Sequence, residues 1–313
     1  MNKNISVIIP TYNRVDALQR TLKYIQKADD FPEEIIIVDQ TNNSELIQQI
    51  KKICSECEMN MIYVHQDCPS LTKARNRGIE LAQNEIVLFM DDDVDIAKDT
   101  FVSLRNLFSN PLIAMVGGVD KTPVSHNSVL GYFFGKASYF KRKIGHVTKA
   151  IYGRFPLVCS NQTPTEWVMG FFFAVRRSCI LRWNLRFDEK LQYYAYAEDL
   201  DFSYGFYLNA KRENLKCIMS NKLIVNHRVS NEYRLPTKKA TYMVILHREY
   251  IRHKYFARNI KAYIFCLWSD MGDLIYRIIH KQNACDIIRA RSFFYKHYSD
   301  ILQGNFHYSN FMN

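Results

Sequence analysis

Long apolar runs are missing from this 313-residue chain. No stretch approaches the roughly 18–20 uninterrupted apolar residues of a membrane-spanning helix. The longest candidate, Ala262 to Leu267, is far too short. No leader-type segment precedes the first strand-like run, so the fold is expected to begin at the N-terminus and the protein to be cytosolic. The eight cysteines do not form a disulfide framework. Cys54 and Cys57 make a C-x-x-C pair with no second pair to complete a zinc site. The pair falls with the apolar stripe Leu46, Ile50, Ile53 and Cys57 of a helix, which points to buried thiols in a reducing compartment. Internal repeats and low-complexity segments are absent. A glycine- and lysine-rich phosphate loop after the first strand is absent too, and Pro10-Thr11-Tyr12-Asn13 stands there instead. That turn argues against a nucleotidyltransferase.

What is present is enough apolar residue, 48% of the chain, to bury a sizeable core in one large or two smaller domains. The net charge of +11 is unevenly placed. Residues 1–120 hold 12 basic and 18 acidic side chains, residues 121–160 seven basic and no acidic ones, and residues 228–313 fourteen basic against six acidic. The basic segments face something anionic, and nucleic acid, anionic lipid and a diphosphate-bearing substrate all qualify.

The first third alternates regularly. Ile5 to Ile9, Ile35 to Val38, Met61 to Val64 and Glu85 to Met90 read as strands. Between them, Val15 to Ile25, Leu46 to Cys57 and Leu71 to Ala82 recur at helical spacing. Runs apolar on both faces and separated by helices indicate a mostly parallel sheet covered by helices. Ligands of such sheets bind beyond the carboxyl ends of the strands. Pro10 to Arg14, Asp39 and Asp91-Asp92-Asp93 stand there. Further on, residues 121–160 read as a long loop or irregular helices. Glu166 to Val175 reads as a returning strand centred on Gly170. Asp199 to Leu208 reads as a helix, and Ile218 with Leu223 to Val225 as a small hairpin ending at His227. From Lys238 the pattern is helical, basic and aromatic.

Three adjacent carboxylates repel unless a cation or basic partner is near. A hard divalent cation such as Mn²⁺ or Mg²⁺ prefers such oxygen ligands and bridges to phosphates. A solvated acidic turn ahead of a helix is the competing reading.

Ser6 to Arg14 (S-V-I-I-P-T-Y-N-R), Val38-Asp39, Ala74-Arg75-Asn76-Arg77-Gly78, Asp91-x-Asp93 and Glu198-Asp199 with Asp201 occur in this order. Together they resemble family 2 nucleotide-sugar glycosyltransferases of the GT-A fold, from about Ile5 to His227. The resemblance implies a GT-A-like catalytic domain over residues 1–230, with a donor half to about 120 and an acceptor half from about 121. It leaves residues 231–313 as a helical, basic and aromatic C-terminal region. It further implies an inverting enzyme that moves a single sugar from a nucleotide diphosphate donor, a UDP-sugar by preference, to a glycan or lipid-linked acceptor in surface polysaccharide synthesis. The alternatives to this reading are a nucleotidyltransferase and a non-catalytic scaffold of a polysaccharide assembly complex.

The implied roles are specific. Pro10, Thr11, Tyr12 and Arg14 line the donor pocket, Asp39 reads the base edge, and Arg75 sits near the diphosphate. Asp91 and Asp92 contact the donor, while Asp93 and His227 hold Mn²⁺ or Mg²⁺. Asp199 is the catalytic base, with Glu198, Trp167 and Gly170 orienting or binding the acceptor; Met169 stands with Trp167. The chemistry agrees: a leaving diphosphate gathers negative charge that a cation and an arginine stabilise, and an attacking hydroxyl needs a carboxylate to take its proton. Two positions depart from the family pattern: Gln40 follows Asp39 where further acid is usual, and Ser70 replaces a glycine. No Q-x-x-R-W sequence of processive members is present. The aromatic and basic C-terminal quarter (Tyr255, Phe256, Arg258, Lys261, Tyr263, Phe265, Trp268) either lies on the inner face of the membrane as a peripheral contact or packs on the core; no nucleic-acid signature accompanies it.

Overall fold

The computed structural model describes residues 3–122, 129–193, 195–228 and 237–312. In chain order the elements are β1 (Ile5–Thr11), α1 (Val15–Gln26), β2 (Glu34–Asp39), α2 (Ser44–Ser55), β3 (Met61–His65), α3 (Leu71–Leu81), β4 (Ile86–Met90), β5 (Val94–Asp95), α4 (Thr100–Leu107) and β6 (Ile113–Asp120). Then come α5 (Val129–Phe133), β7 (His146–Val147), β8 (Gly153–Arg154), β9 (Thr163–Pro164), β10 (Phe172–Arg176), α6 (Arg177–Arg182), α7 (Glu198–Arg212) and β11 (Lys216–His227). The chain closes with α8 (Thr237–Phe256), α9 (Ile260–Ile279), α10 (Cys285–Lys296), α11 (Tyr298–Leu302) and α12 (Ser309–Met312).

Contacts divide the chain into two units. The first comprises Met1–Val124, Val158–Tyr193 and Glu198–Ser230; the second comprises Ser125–Leu157, Tyr194–Ala197 and Asn231–Asn313. The sequence-based boundary at 230/231 lies outside the described residues. The second unit also takes in 125–157, which the sequence alone assigns to the acceptor half. The reason is packing: Arg248 on α8 donates to the Ala150 carbonyl and the Tyr152 hydroxyl, and Trp268 on α9 donates to the Phe133 carbonyl.

In the first unit, nine described strands form one sheet in the order β3-β2-β1-β4-β10-β6-β11-β5, with β9 beside β11. β1 to β4 are mutually parallel, and β10 runs antiparallel to β4 and β6. Every residue of β1, β2 and β4 is buried, as both-face apolar runs require. Around Ile8, Val38 and Phe89 the core continues into Phe173, Phe187 and Phe202. Gly78 explains how closely α3 lies on this sheet: a Cβ there would come within 2.3 Å of Ile8 Cγ2.

Three local readings change. β11 is one strand rather than a hairpin, with a register irregularity between Met219 and Ile224 where Ser220, Asn221 and Lys222 interrupt the apolar pattern. β10 starts at Phe172, and residues 166–171 before it are irregular. α2 buries Ile50 and Cys54, whereas Cys57 lies past its end and is half-buried. Burial pushes the Cys54 thiol up to about 12.

In the second unit, α8 packs on α9, α10, α11 and α12. Its core combines Leu246, Phe294 and Phe306 with buried Arg248, Glu249, Arg252, Asp270 and Arg291. Among the described residues, no helix is long and apolar enough to cross a membrane.

Candidate active site

Because β1, β2 and β4 are parallel, their carboxyl ends share one edge of the sheet, and register sets Thr11 opposite Asp39 and Asp39 opposite His65. Asp39 is fully buried. One of its oxygens accepts the Thr41 N–H at 2.9 Å and the other the Tyr63 hydroxyl at 2.7 Å. Each oxygen keeps a second acceptor direction. Burial, aided by the Asp39 carboxylate, raises the Tyr63 hydroxyl above its ordinary range. The two departures from the family pattern meet here. The Gln40 side-chain oxygen accepts the Ser70 N–H at 2.6 Å, and Ser70 caps α3 by accepting the Lys73 N–H at 3.5 Å.

Pro10 is buried within β1, Tyr12 is half-buried in the turn, and Asn13 beyond it adopts φ 56°. Thr11 donates to Asp92 Oδ2 at 2.7 Å, and Arg14 Nη1 reaches Asp92 Oδ1 at 3.0 Å and Asp93 Oδ2 at 3.1 Å. The middle aspartate therefore braces the turn after β1. Burial pushes its carboxyl up to about 7, against the pull of Arg14 and Thr11.

Asp91 and Asp93 meet His227. β11 pairs with β5 so that His227 lies opposite Val94, which brings its Nε2 to 3.2 Å from Asp93 Oδ1. The imidazole stacks on Phe171 with ring centroids 5.0 Å apart. Burial pulls the His227 pKa down, but the hydrogen bond to Asp93 and the charges of Asp91, Asp93 and Asp120 outweigh it, and the net direction is up. The Asp91 carboxyl is also raised, by burial and by Asp93, with Arg75 and His227 opposing. One ligand atom from each of Asp91, Asp93 and His227 lies within 4.8 Å of the others. Two carboxylate oxygens and one imidazole nitrogen suit a divalent cation of the Mn²⁺ or Mg²⁺ kind.

Arg75 links this corner to α7. It is 1% exposed, with Nη1 on Glu198 Oε1 and Nη2 donating to Asp91 Oδ1 and to the Gly170 carbonyl, both at 3.0 Å. Its guanidinium lies 5.3 Å from the centroid of the Phe187 ring. Gly170 is small for a reason: a Cβ there would sit 3.0 Å from both terminal guanidinium nitrogens and 3.2 Å from Asp199 Cβ. The Gly170 N–H donates to Asp199 Oδ2 at 2.9 Å, and the Leu200 N–H donates to Oδ1 at 2.7 Å. Burial raises the Asp199 carboxyl, while those two N–H groups and Arg75 hold it back. Glu198 is raised well above the usual range, by burial first and then by Asp199. The first turn of α7, which contains Glu198, Asp199 and Asp201, also favours acidic residues through the helix dipole.

Trp167 is 4% exposed, its carbonyl and N–H both engaged by the Thr165 hydroxyl, and Met169 is half-buried. Sequence reasoning gave no role to Tyr63, His65, Phe171 or Phe187, and none to Asn76 although its motif was singled out. Asn76 pins the loop under Arg75, donating to the Phe187 carbonyl and to Glu189 and accepting the Phe187 N–H. His65 carried a usable signal, since it follows Val64 at a strand end; the two phenylalanines carried none beyond being apolar.

The description "Glycosyl transferase family 2" matches residues 6–180. Among curated proteins the chain is similar to the poly(ribitol-phosphate) beta-N-acetylglucosaminyltransferase TarS of Staphylococcus aureus, 27% identical over 219 residues, which are 66% of this chain and 33% of that one. It is also similar to the GalNAc(5)-diNAcBac-PP-undecaprenol beta-1,3-glucosyltransferase of Campylobacter jejuni, 26% identical over 126 residues, 37% of this chain and 41% of that one. The chain thus spans well under half the length of either relative. The solved structure of GalNAc-T7 with UDP, GalNAc and Mn²⁺ superposes with a TM-score of 0.60 at 16% identity, covering 80% of this chain and 49% of that one, which establishes the GT-A-type fold. With more than half of its length matched, the chain belongs to glycosyl transferase family 2.

Proposed function

We propose that this chain transfers one sugar, with inversion, from a nucleoside diphosphate sugar to a hydroxyl of a glycan or lipid-linked saccharide during surface polysaccharide synthesis. The observation that carries this reading is Arg75, which binds Asp91 at the end of β4, Glu198 at the start of α7 and the Gly170 carbonyl beside Asp199. One side chain thereby ties the strand-end carboxylates to the candidate base. The relatives' names support the direction: one is an N-acetylglucosaminyltransferase acting on poly(ribitol-phosphate), the other a glucosyltransferase acting on an undecaprenol-linked glycan. GalNAc-T7 was solved with UDP, which supports a uridine donor.

The bond changes assign each residue a task. The acceptor oxygen attacks the anomeric carbon from the face opposite the diphosphate, its proton passes to an Asp199 oxygen, and the bond from the anomeric carbon to the phosphate oxygen breaks with its electron pair leaving on the diphosphate. A single displacement of this kind inverts the centre and needs no carboxylate nucleophile. Asp199 suits the base role because burial raises its proton affinity and the N–H groups of Gly170 and Leu200 fix its orientation. Pro10, Thr11, Tyr12, Arg14 and Asp92 shape the donor side, and Asp39 accepts a base N–H through its remaining lone pairs. Asp91, Asp93 and His227 would hold a divalent cation, which supplies Lewis-acid neutralisation of the diphosphate charge. Arg75 adds fixed positive charge next to Asp91.

A screen of nucleotide sugars with Mn²⁺, read by thermal shift and then by turnover on a saccharide acceptor, tests the donor assignment. The anomeric configuration of the product, read by NMR, tests the mechanism. Inversion is expected, and retention would overturn the single displacement.

A further inference from the structure

Helix α9 has apolar or small side chains on two sides, and only one of those sides is covered. Toward its own unit it presents Ala262, Cys266, Ser269 and Gly272, all buried. Elsewhere on the helix Ile260, Ile264, Met271, Ile275 and Ile278 are exposed at 65%, 56%, 47%, 40% and 61%. Their spacing places all five within roughly 60° of one another at 3.6 residues per turn. The helix's charged residues, Lys261, Asp270, Asp273 and Arg277, all fall outside that arc. A helix in a globular protein ordinarily turns such a stripe inward, and large apolar surface left in water marks an interaction site.

The stripe continues onto α5. Trp268 of α9 donates its indole N–H to the Phe133 carbonyl at 2.7 Å, and the two rings stand 5.3 Å apart. α5 adds exposed Val129 and Phe133, and Phe140 beyond it is 97% exposed. Cationic residues border this surface in sequence: Lys141 and Lys143 follow Phe140, Lys261 opens α9, Lys281 follows it, and all four are exposed. Residues 121–160 contribute no acidic side chain. A second copy docked face to face would set one basic rim against another, whereas an anionic surface complements it.

We infer that the α9–α5 face lies in the headgroup layer of an anionic lipid surface, with α9 along the plane of the membrane. A helix with a continuous apolar stripe, flanked by lysines and by an interfacial aromatic residue, Trp268, has the character of an interfacial helix. The inference does not depend on the donor, the acceptor or the base assigned above.

The test is flotation of the full chain with phosphatidylcholine vesicles, with and without phosphatidylglycerol, at low and high salt. The wild type should float with the anionic vesicles and less so at high salt. Ile264→Glu/Ile275→Glu should reduce the bound fraction at least about tenfold while melting as the wild type does, because both side chains are exposed. Phe140→Asp, at the most exposed position, repeats the test should the double variant fail to fold. Lys141→Glu/Lys143→Glu should weaken binding to the anionic vesicles in particular. A wild type that stays unbound with both vesicles overturns the inference. So does an apolar-face variant that floats like the wild type. A dimer in light scattering that the isoleucine variant dissolves, with flotation unchanged, would assign the face to a second copy instead.

Discussion

Around Arg75 the carboxylates outnumber the cations; around Arg248 they do not. The first cluster gathers Asp91, Asp92, Asp93, Glu198 and Asp199 against Arg14, Arg75 and His227. The second pairs Arg248, Arg252 and Arg291 with Glu249 and Asp270. In the second, every Arg248 side-chain nitrogen has an acceptor: it donates to the Ala150 carbonyl, the Tyr152 hydroxyl, Asp270 and the Ser269 hydroxyl at 2.7–2.8 Å. Such a network fixes a core. In the first, burial raises four of the five carboxyls, and the five face only three cationic groups. Uncompensated negative charge at the edge of a parallel sheet is what a cation, and through it a diphosphate, or a proton-accepting step uses. Mutations should therefore separate the clusters, one losing chemistry and the other losing stability.

The largest effect should come from Asp199→Asn. Asparagine keeps the shape and can still accept the Gly170 N–H, but it cannot take a proton. Turnover should fall by a factor on the order of 10²–10⁴, while donor affinity measured by calorimetry stays within a few-fold. Near-wild-type turnover would move the base elsewhere.

Arg248→Met breaks the other cluster. It leaves the Ala150 carbonyl without its donor and Asp270 with Arg291 alone. The cost should approach the lower end of the roughly 3–5 kcal/mol for unpairing a buried ion pair. A melting midpoint lower by roughly 6–12 °C is the expected reading. An unchanged midpoint would mean that the network contributes no more than its hydrophobic replacement.

Asp93→Asn tests the partly compensated cluster from the cation side. With one carboxylate ligand replaced, the Mn²⁺-dependent part of donor binding should weaken about tenfold or more, and EDTA should abolish turnover of the wild type. Full wild-type activity in EDTA would remove the cation from the site.

The contrast also shows what a linear sequence reveals. The strand ends were legible because β1, β2 and β4 are buried on both faces and read as apolar runs, so Thr11 and Asp39 close their strands and Asp91 follows its own. The Ala74-to-Gly78 stretch was legible as a motif, but its division of labour was not: Arg75 enters the site, Asn76 holds a loop and Gly78 admits β1. In the C-terminal quarter charge counting does not separate surface from core. Three of its arginines, Arg248, Arg252 and Arg291, are buried in internal pairs, and its exposed apolar face is a set of isoleucines and a methionine rather than the aromatics that stood out in the sequence. Composition carries no record of which side of a helix is covered.

The smallest effect should be that of Glu198→Gln, and it is the most discriminating. Glu198 is held by Arg75, and its carboxyl is raised first by burial and then by the charge of Asp199. The two carboxyls titrate as a pair, and glutamine removes the Glu198 charge from that pair while keeping its shape. The amide oxygen of that glutamine can still accept from Arg75, so Asp91 and the Gly170 carbonyl keep their shared donor. Turnover should drop less than about tenfold. The pH profile sharpens the test. A base works only when deprotonated, so activity is lost as pH falls through the Asp199 pKa, and burial places that acid limb above the roughly 3.9 of an ordinary aspartate. Removing the Glu198 charge removes its repulsion of the Asp199 carboxylate, so in Glu198→Gln the acid limb should move to lower pH. A limb that stays in place would show that Glu198 carries no charge while Asp199 works. An inactive Glu198→Gln beside an active Asp199→Asn would transfer the base role to Glu198.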